Sequence, residues 1–128
     1  GNRSGVIVRM SRPELIHNTI VDNDNNGIVA WDLSRVSIIN SIIWENFPVG
    51  EQLYASVEVQ YSNLKTPWSG TGNISQFPEF ASENDFHLAG NSPCIDAGID
   101  AGVEWDIDLV ERPQAEGFDM GAYEFVQP

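Results

Sequence analysis

The sequence has few of the residues on which common kinds of protein site depend. It contains a single cysteine, Cys94, in 128 residues, so no disulfide can form within the chain. The apolar neighbours of Cys94 predict a buried, unreactive thiol. The two histidines, His17 and His87, lie far apart, and neither has a cysteine or second histidine at zinc-ligand spacing. We therefore interpret both histidines as structural or surface residues.

Positive charge and long apolar runs are also scarce. Six lysines and arginines stand against 19 aspartates and glutamates, which gives a formal net charge of −13. Nucleic acids and anionic membrane surfaces attract basic proteins, so this balance argues against both as partners. No run of about 18 apolar residues occurs, so the sequence predicts no membrane insertion.

What the sequence does contain is a pair of near-copies, residues 4–25 and 26–47. A unit this short cannot bury its own apolar residues, so it must stack on further copies of itself. The identical pairs, each 22 positions apart (27 − 5 = 22), are Gly5 and Gly27, Ile16 and Ile38, Asn18 and Asn40, and Ile20 and Ile42.

The repeats predict short strands. Their apolar residues form brief runs of Val and Ile separated by polar residues, without a helical period. Three such strands in each 22-residue repeat predict an all-β fold, a right-handed parallel β-helix of about three coils. Val59 and Tyr61 indicate a weaker third copy, since they lie 21 positions after Ile38 and Asn40. We predict that Asn18 and Asn40 are structural and stack on each other at a coil corner.

One domain with two parts is expected, the coils over residues 1–64 and a loop-rich C-terminal cap over residues 65–128. An open end of stacked strands exposes unpaired edges, which a cap can cover. No capping unit precedes Ser4, so we expect the sequence to be the C-terminal piece of a longer β-helix. The residues predicted to cover the end are Phe77, Phe80, Phe86, Leu88, Ile95, Tyr123 and Phe125.

Short motifs in a fixed order mark the second half of the chain. They are Tyr-Ser-Asn-Leu at 61–64, Gly-Asn-Ile at 72–74, Pro-Glu-Phe at 78–80, Phe-His-Leu at 86–88, Ser-Pro-Cys-Ile-Asp-Ala-Gly at 92–98, Asp-x-Asp at 106–108, Arg-Pro at 112–113 and Asp-Met-Gly-Ala-Tyr-Glu-Phe at 119–125. This set resembles the C-terminal end of secreted, pectate-lyase-like right-handed β-helix repeat proteins of bacteria and archaea. In that family Gly commonly follows Asp-x-Asp, whereas Leu109 stands there in this chain. The resemblance implies a secreted or cell-surface protein, in a family that includes polysaccharide lyases, glycoside hydrolases, epimerases and adhesins.

An acidic cluster is the first candidate site. Nine carboxylates and one basic residue, Arg112, lie between residues 96 and 124. Calcium takes six to eight oxygen ligands, and Asp106 and Asp108 would project to one side of an extended chain. These two residues therefore form a candidate Ca²⁺ site. The structural alternative is that Asp108 and Asp119 pair with Arg112, while Asp96 caps a turn.

The outer face of the stacked coils is the second candidate. Arg9 and Trp31 share one column of the repeat (31 − 9 = 22), and Asp22 and Trp44 share another (44 − 22 = 22). Exposed tryptophans beside Arg and Asp are typical of a sugar-binding surface. The alternative is that Arg9 covers Trp31 as a cation–π pair, with Trp44 packed under an insertion at 48–56.

No catalytic residues are predicted in the chain. Glycoside hydrolysis needs two facing carboxylates, and the 22-residue repeat places no such pair together. We expect a non-catalytic C-terminal β-helix and cap that contacts a polysaccharide or cell-surface glycan. One alternative is a fragment of a polysaccharide lyase or glycoside hydrolase whose active coils lie upstream. The other is a structural adhesin stalk.

The first strand predicts self-association. Residues 4–10 would expose an unpaired strand edge, and such edges seek partners. A two-fold homodimer through this open coil is expected, because a closed symmetric interface satisfies both copies. Light scattering should give a dimer mass for the parent chain and a monomer mass for Val6→Lys. A parent that stays monomeric at high concentration would contradict the expectation.

Overall fold

The computed structural model describes residues 5–24, 26–31, 34–46, 53–54 and 56–128. In these residues the chain forms strands and no helix, so the predicted all-β class is confirmed. The strands are β1 (Val6–Arg9), β2 (Glu14–Ile16), β3 (Thr19–Val21), β4 (Ile28–Trp31), β5 (Arg35–Ile39), β6 (Ile42–Trp44), β7 (Leu53–Tyr54), β8 (Ser56–Gln60), β9 (Asn63–Leu64), β10 (Phe80–Ser82) and β11 (Asp85–Leu88).

The first nine strands form three parallel sheets that the chain visits in turn. The first sheet has the order β1-β4-β7, the second β2-β5-β8 and the third β3-β6-β9. Each pass of the chain therefore adds one strand to every sheet. Parallel neighbours need a crossover between them, and here the strands of the other two sheets supply it. The remaining strands, β10 and β11, pair as an antiparallel hairpin.

The spacing of the repeat differs between the sheets. In the first sheet Val6 pairs with Ile28, at the predicted offset of 22. In the third sheet Ile20 pairs with Ile43, at an offset of 23. The predicted pairing of Ile20 with Ile42 is therefore wrong by one residue. The extra residue enters between Trp31 and Ser34, because the backbone N–H of Ser11 already donates to Ser34 Oγ, 23 positions later.

The corner between the second and third sheets is built by a left-handed residue followed by Asn or Ser. His17, Asn40 and Tyr61 hold φ values of 54°, 52° and 47°. The residues that follow them, Asn18, Ser41 and Ser62, are stacked in successive passes. The backbone N–H of Asn18 donates to Ser41 Oγ, and that of Ser41 donates to Ser62 Oγ. The predicted Asn18–Asn40 stack is thus incorrect, although Asn40 and Tyr61 do occupy equivalent corners as predicted.

An asparagine stack does occur, at the corner that follows the third sheet, where Asn23 and Asn46 stack in place of the predicted Asn18 and Asn40. Asn46 Oδ1 accepts from the backbone N–H of Asn23 at 3.2 Å and from its Nδ2 at 2.8 Å. Asn46 Nδ2 donates to the carbonyl of Ile20 at 3.1 Å. A Cβ on Gly27 would lie 2.8 Å from Asn46 Nδ2, and one on Gly5 would lie 2.9 Å from Asn23 Nδ2. The two repeated glycines leave room for these amides.

Two apolar clusters lie on opposite faces of the third sheet. The inner cluster takes side chains from all three sheets and includes Ile20 and Ile43. The outer cluster joins Ile42 and Trp44 to residues of the C-terminal half, among them Cys94. Ile42, Ile43 and Trp44 are consecutive and all buried, because the C-terminal half covers the face that would otherwise meet solvent. Cys94 is fully buried, as predicted.

The C-terminal half covers the side of the third sheet as well as its end. Ile74 continues the stack past β9, since it exchanges backbone hydrogen bonds with Ser62 and Leu64. The later residues return along the side of the sheet, where the N–H of Gly121 donates to the carbonyl of Asn40 at 2.7 Å. Asn40 therefore anchors this segment. Of the apolar residues expected over the end, Phe80, Leu88, Ile95 and Phe125 pack on the side, in the outer cluster.

A double-mutant cycle tests the corrected pairing. Ile20→Ala, Ile42→Ala and Ile43→Ala should each lower the free energy of unfolding by about 2–5 kcal/mol, the usual cost of truncating a buried Ile. Ile20 and Ile43 touch in one cluster, so their double mutant should deviate from additivity by about 0.5–3 kcal/mol.

The matched control is the pair Ile20 and Ile42, which lie in different clusters. Their side chains lie on opposite faces of the sheet, so their coupling should be smaller than that between Ile20 and Ile43. Denaturant unfolding monitored by tryptophan fluorescence measures all five variants. If Ile20 couples to Ile42 and not to Ile43, the pairing of strands at an offset of 22 is correct and the offset of 23 is wrong.

Candidate functional site

A cleft of about 390 Å³ lies where the end of the third sheet meets the β10–β11 hairpin. We call it the aromatic cleft. Most of its lining residues are aromatic or acidic. The aromatic ones are Trp44, Phe77, Phe80 and Phe86, the acidic ones are Asp22, Glu45 and Glu83, and Val21 and Ser82 complete the lining. Of the residues predicted to contact sugar, Asp22 and Trp44 are brought together here.

The aromatic rings pack edge to face in two pairs. Trp44 and Phe77 have ring centroids 6.3 Å apart at 77°, and Phe80 and Phe86 have centroids 5.3 Å apart at 82°. Trp44 is 7% exposed, whereas Phe77 is 59% exposed. The Trp44 Nε1–H is buried and has no hydrogen-bond partner in the described residues. An unpaired buried donor is costly, so a ligand acceptor that reached it would recover that energy.

Asp22 and Glu45 are set side by side by the asparagine corner. Each is a left-handed residue, with φ of 53° and 49°, and each directly precedes a member of the Asn23–Asn46 stack. The corner thus fixes two carboxylates just past the ends of two neighbouring strands, at the rim of the cleft. Glu45 Oε1 accepts from Lys65 Nζ at 2.7 Å in a surface ion pair. A pair this exposed contributes little to stability.

A histidine bridge holds the hairpin wall of the cleft against the C-terminal segment. His87 Nδ1 lies 2.5 Å from Asp85 Oδ1, and His87 Nε2 lies 2.5 Å from Asp108 Oδ2. The His87 ring stacks on Tyr123 at a centroid distance of 3.8 Å. Hydrogen bonds to Asp108 and Asp85 raise the pKa of His87 above its usual 6.5. Both ring nitrogens can donate only when the imidazole is protonated.

The other two residues predicted to contact sugar are not part of this cleft. Arg9 and Trp31 are paired across β1 and β4, as the 22-residue offset predicted. The side chain of Trp31 lies outside the described residues, as do residues 48–52 and 55 of the insertion predicted at 48–56. Asp22 and Trp44 are not cross-strand partners, because Trp44 pairs with Val21.

The predicted calcium ligands have separate partners. Asp106 is buried, and its two oxygens accept the backbone N–H groups of Asp108, Val110 and Glu124, each at 2.8 Å. Asp108 is bound to His87 instead. Nowhere in the described parts of the chain do three His, Cys, Asp or Glu side chains form a group able to hold a metal ion.

Arg112 has a different partner from those predicted. Its Nη1 donates to Glu124 Oε2 at 2.6 Å, and both side chains are 1% exposed. Asp108 does not reach Arg112, and Asp119 meets it only through its backbone carbonyl, at 3.5 Å. The Asp119 carboxylate accepts the N–H groups of Asp96 and Phe125, while burial raises the pKa of Asp119 to about 6. Asp96 Oδ1 accepts the N–H of Gly117, 21 residues later, so this carboxylate joins two distant segments and the predicted capping of a turn is not seen among the described residues.

A second cleft, of about 460 Å³, lies on the second sheet and was missed in the sequence. Glu14, Ser37 and Glu58 form one column across β2, β5 and β8. Arg12 and Arg35 line the same cleft. Glu14 and Ser37 are 23 positions apart, and Ser37 and Glu58 are 21 apart. An alignment of the first two repeats at an offset of 22 therefore does not bring these three residues into one column. Both glutamates are exposed, whereas a glycosidase acid keeps its proton through burial.

Comparisons of the chain with family models, with curated proteins and with solved structures found no match. In the described part of the chain no helix has the length and apolar character to span a membrane.

The histidine bridge should make stability depend on pH. The folded state binds the His87 proton more tightly than the unfolded state, because the pKa of His87 is raised on folding. Its contribution is fully present below pH 6.5 and is lost as the pH rises through the raised pKa. The melting temperature should therefore fall over this interval, and more in the parent than in His87→Gln.

His17 provides the internal contrast. Burial, with Arg112 nearby, lowers the pKa of His17 to about 4, so its contribution is lost only as the pH falls below 6.5. Melting curves from pH 5 to 9, together with an NMR titration of both imidazoles, separate the two. Equal slopes above pH 6.5 for the parent and His87→Gln would show that the bridge does not stabilise the fold.

Proposed function

We propose that this chain is a non-catalytic, glycan-contacting module at the C-terminal end of a secreted or cell-surface protein. We also propose that its repeats form a right-handed parallel β-helix with residues 65–128 as its cap. Support for this fold comes from the three parallel sheets, each of which gains a strand on every pass. Support for the location comes from the motifs at 92–98 and 119–125, which resemble those of secreted β-helix proteins.

The aromatic cleft is the observation that carries the functional proposal. Ligand sites are mostly apolar and aromatic concavities with a few polar groups that fix orientation. The C–H face of a pyranose ring packs on an aromatic face such as that of Phe77, which is 59% exposed. Carboxylates at the rim accept hydrogen bonds from sugar hydroxyls. Trp44 lines the cleft, and its buried Nε1–H is a donor without a partner in the described residues.

Charge narrows the class of glycan. Asp22, Glu45 and Glu83 line the cleft, and the whole chain carries a formal charge of −13. Like charges repel in a cleft where solvent is partly excluded. An uncharged or positively charged glycan therefore fits the cleft, and a polyuronate does not.

Oligosaccharide binding tests the proposal. Isothermal titration against neutral, N-acetylated and uronate oligosaccharides of equal length should detect binding, with the uronates weakest. Phe77→Ala should weaken binding several-fold, up to about tenfold, since one aromatic contact contributes about 0.5–1.5 kcal/mol. The control is Trp105→Ala, because Trp105 is also exposed, at 51%, and does not line the cleft.

Melting curves establish that both variants remain folded, as expected for two exposed side chains. A panel in which no oligosaccharide binds would refute the glycan-contacting function. Equal weakening by Phe77→Ala and Trp105→Ala would move the contact away from the aromatic cleft.

A further inference from the structure

The rim of the aromatic cleft concentrates negative charge around an apolar interior. Asp22 and Glu45 directly follow the neighbouring strands β3 and β6, and Glu83 lines the same cleft from the β10–β11 turn. Among the described residues, Lys65 Nζ lies 2.7 Å from Glu45 Oε1 at this rim. Three carboxylates line this one cleft, and a cationic ligand would reduce the repulsion between them.

The interior of the cleft suits an organic cation better than a metal ion. Metal ions need several oxygen ligands converging on one point, and these carboxylates do not form such a group among the described residues. Aromatic ring faces attract ammonium groups through their negative quadrupole. Phe77, Phe80 and Phe86 provide such rings beside the carboxylates. The Lys65–Glu45 pair shows that an ammonium group is accommodated at this rim.

A second observation indicates that the cleft takes more than an isolated amine. Trp44 lines the cleft and is only 7% exposed, and its Nε1–H has no partner in the described residues. The cleft therefore suits a ligand that has an oxygen acceptor and an apolar face as well as a cation. A sugar ring with an amino substituent has all three.

We propose that the aromatic cleft binds glycans that carry free amino groups, such as chains of non-acetylated hexosamine. This inference rests on the proposed glycan-contacting function and specifies its ligand class. The ammonium group lies among Asp22, Glu45 and Glu83, and the sugar ring packs on the phenylalanines.

The test compares three tetrasaccharides with the same β-1,4 linkage, made of glucosamine, N-acetylglucosamine or glucose. Titration of the parent chain should give the tightest binding for the glucosamine tetramer. The other two should bind at least about tenfold more weakly, because acetylation or replacement removes the positive charge. Added salt should weaken binding of the glucosamine tetramer alone, since ion pairs at an exposed rim are screened.

Two variants of equal charge separate a specific site from general attraction to an acidic protein. Glu83→Gln removes a carboxylate from the cleft, and Glu116→Gln removes an exposed carboxylate that does not line it. Glu83→Gln should weaken binding of the glucosamine tetramer about two- to fivefold, the effect of one exposed ion pair. Glu116→Gln should leave it unchanged.

The outcomes distinguish the inference from the function on which it rests. Equal binding of all three tetramers, with a loss on Phe77→Ala, would refute amino-sugar selectivity and keep the glycan site. Equal weakening by Glu83→Gln and Glu116→Gln would show unspecific charge attraction and overturn the inference. If no tetramer binds, both the inference and the glycan-contacting function fail.

Discussion

Hydrogen bonds between successive corners hold the passes of this chain in line. The backbone N–H of Asn18 donates to Ser41 Oγ at 3.1 Å, that of Ser41 to Ser62 Oγ at 3.0 Å, and that of Ser62 to Asn73 Oδ1 at 3.1 Å. Each of these donors would otherwise be withdrawn from water without a partner, at a cost of about 1–3 kcal/mol. Small polar side chains at the corners therefore determine how one pass sits on the next.

The sequence predicted the class of fold because that class depends on the local pattern of Val and Ile. It did not predict how the first and second passes align in the second and third sheets, although the offset of 21 between Ile38 and Val59 is confirmed. Residue identity favoured the pairing of Ile20 with Ile42, yet the offset of 23 in the third sheet pairs Ile20 with Ile43. Side chains alternate along a strand, so a one-residue shift exchanges the two faces. Isoleucines occupy both positions, and their hydrophobicity could not decide between the two alignments.

The candidate site was predictable in part, because two of its residues lie within the repeats. Asp22 and Trp44 were selected from a repeat column, and they do share a cleft, although that column is not level in the sheet. Phe77 and Glu83 come from segments far along the chain, whose position depends on the outer apolar cluster and on the His87 bridge. Short motifs and local patterns carry no signal for such long-range placement.

The return of the C-terminal segment to the first pass changes how the molecule must unfold. Stacked repeats that touch only their neighbours can open one at a time from an end. Here the N–H of Ala122 donates to Thr19 Oγ1, across 103 residues, while Gly121 donates to Asn40 in the second pass. An early pass cannot fray without releasing the last segment of the chain. These contacts couple the passes into a single cooperative unit, and forming them late should slow folding, because contacts distant in sequence cost more chain entropy.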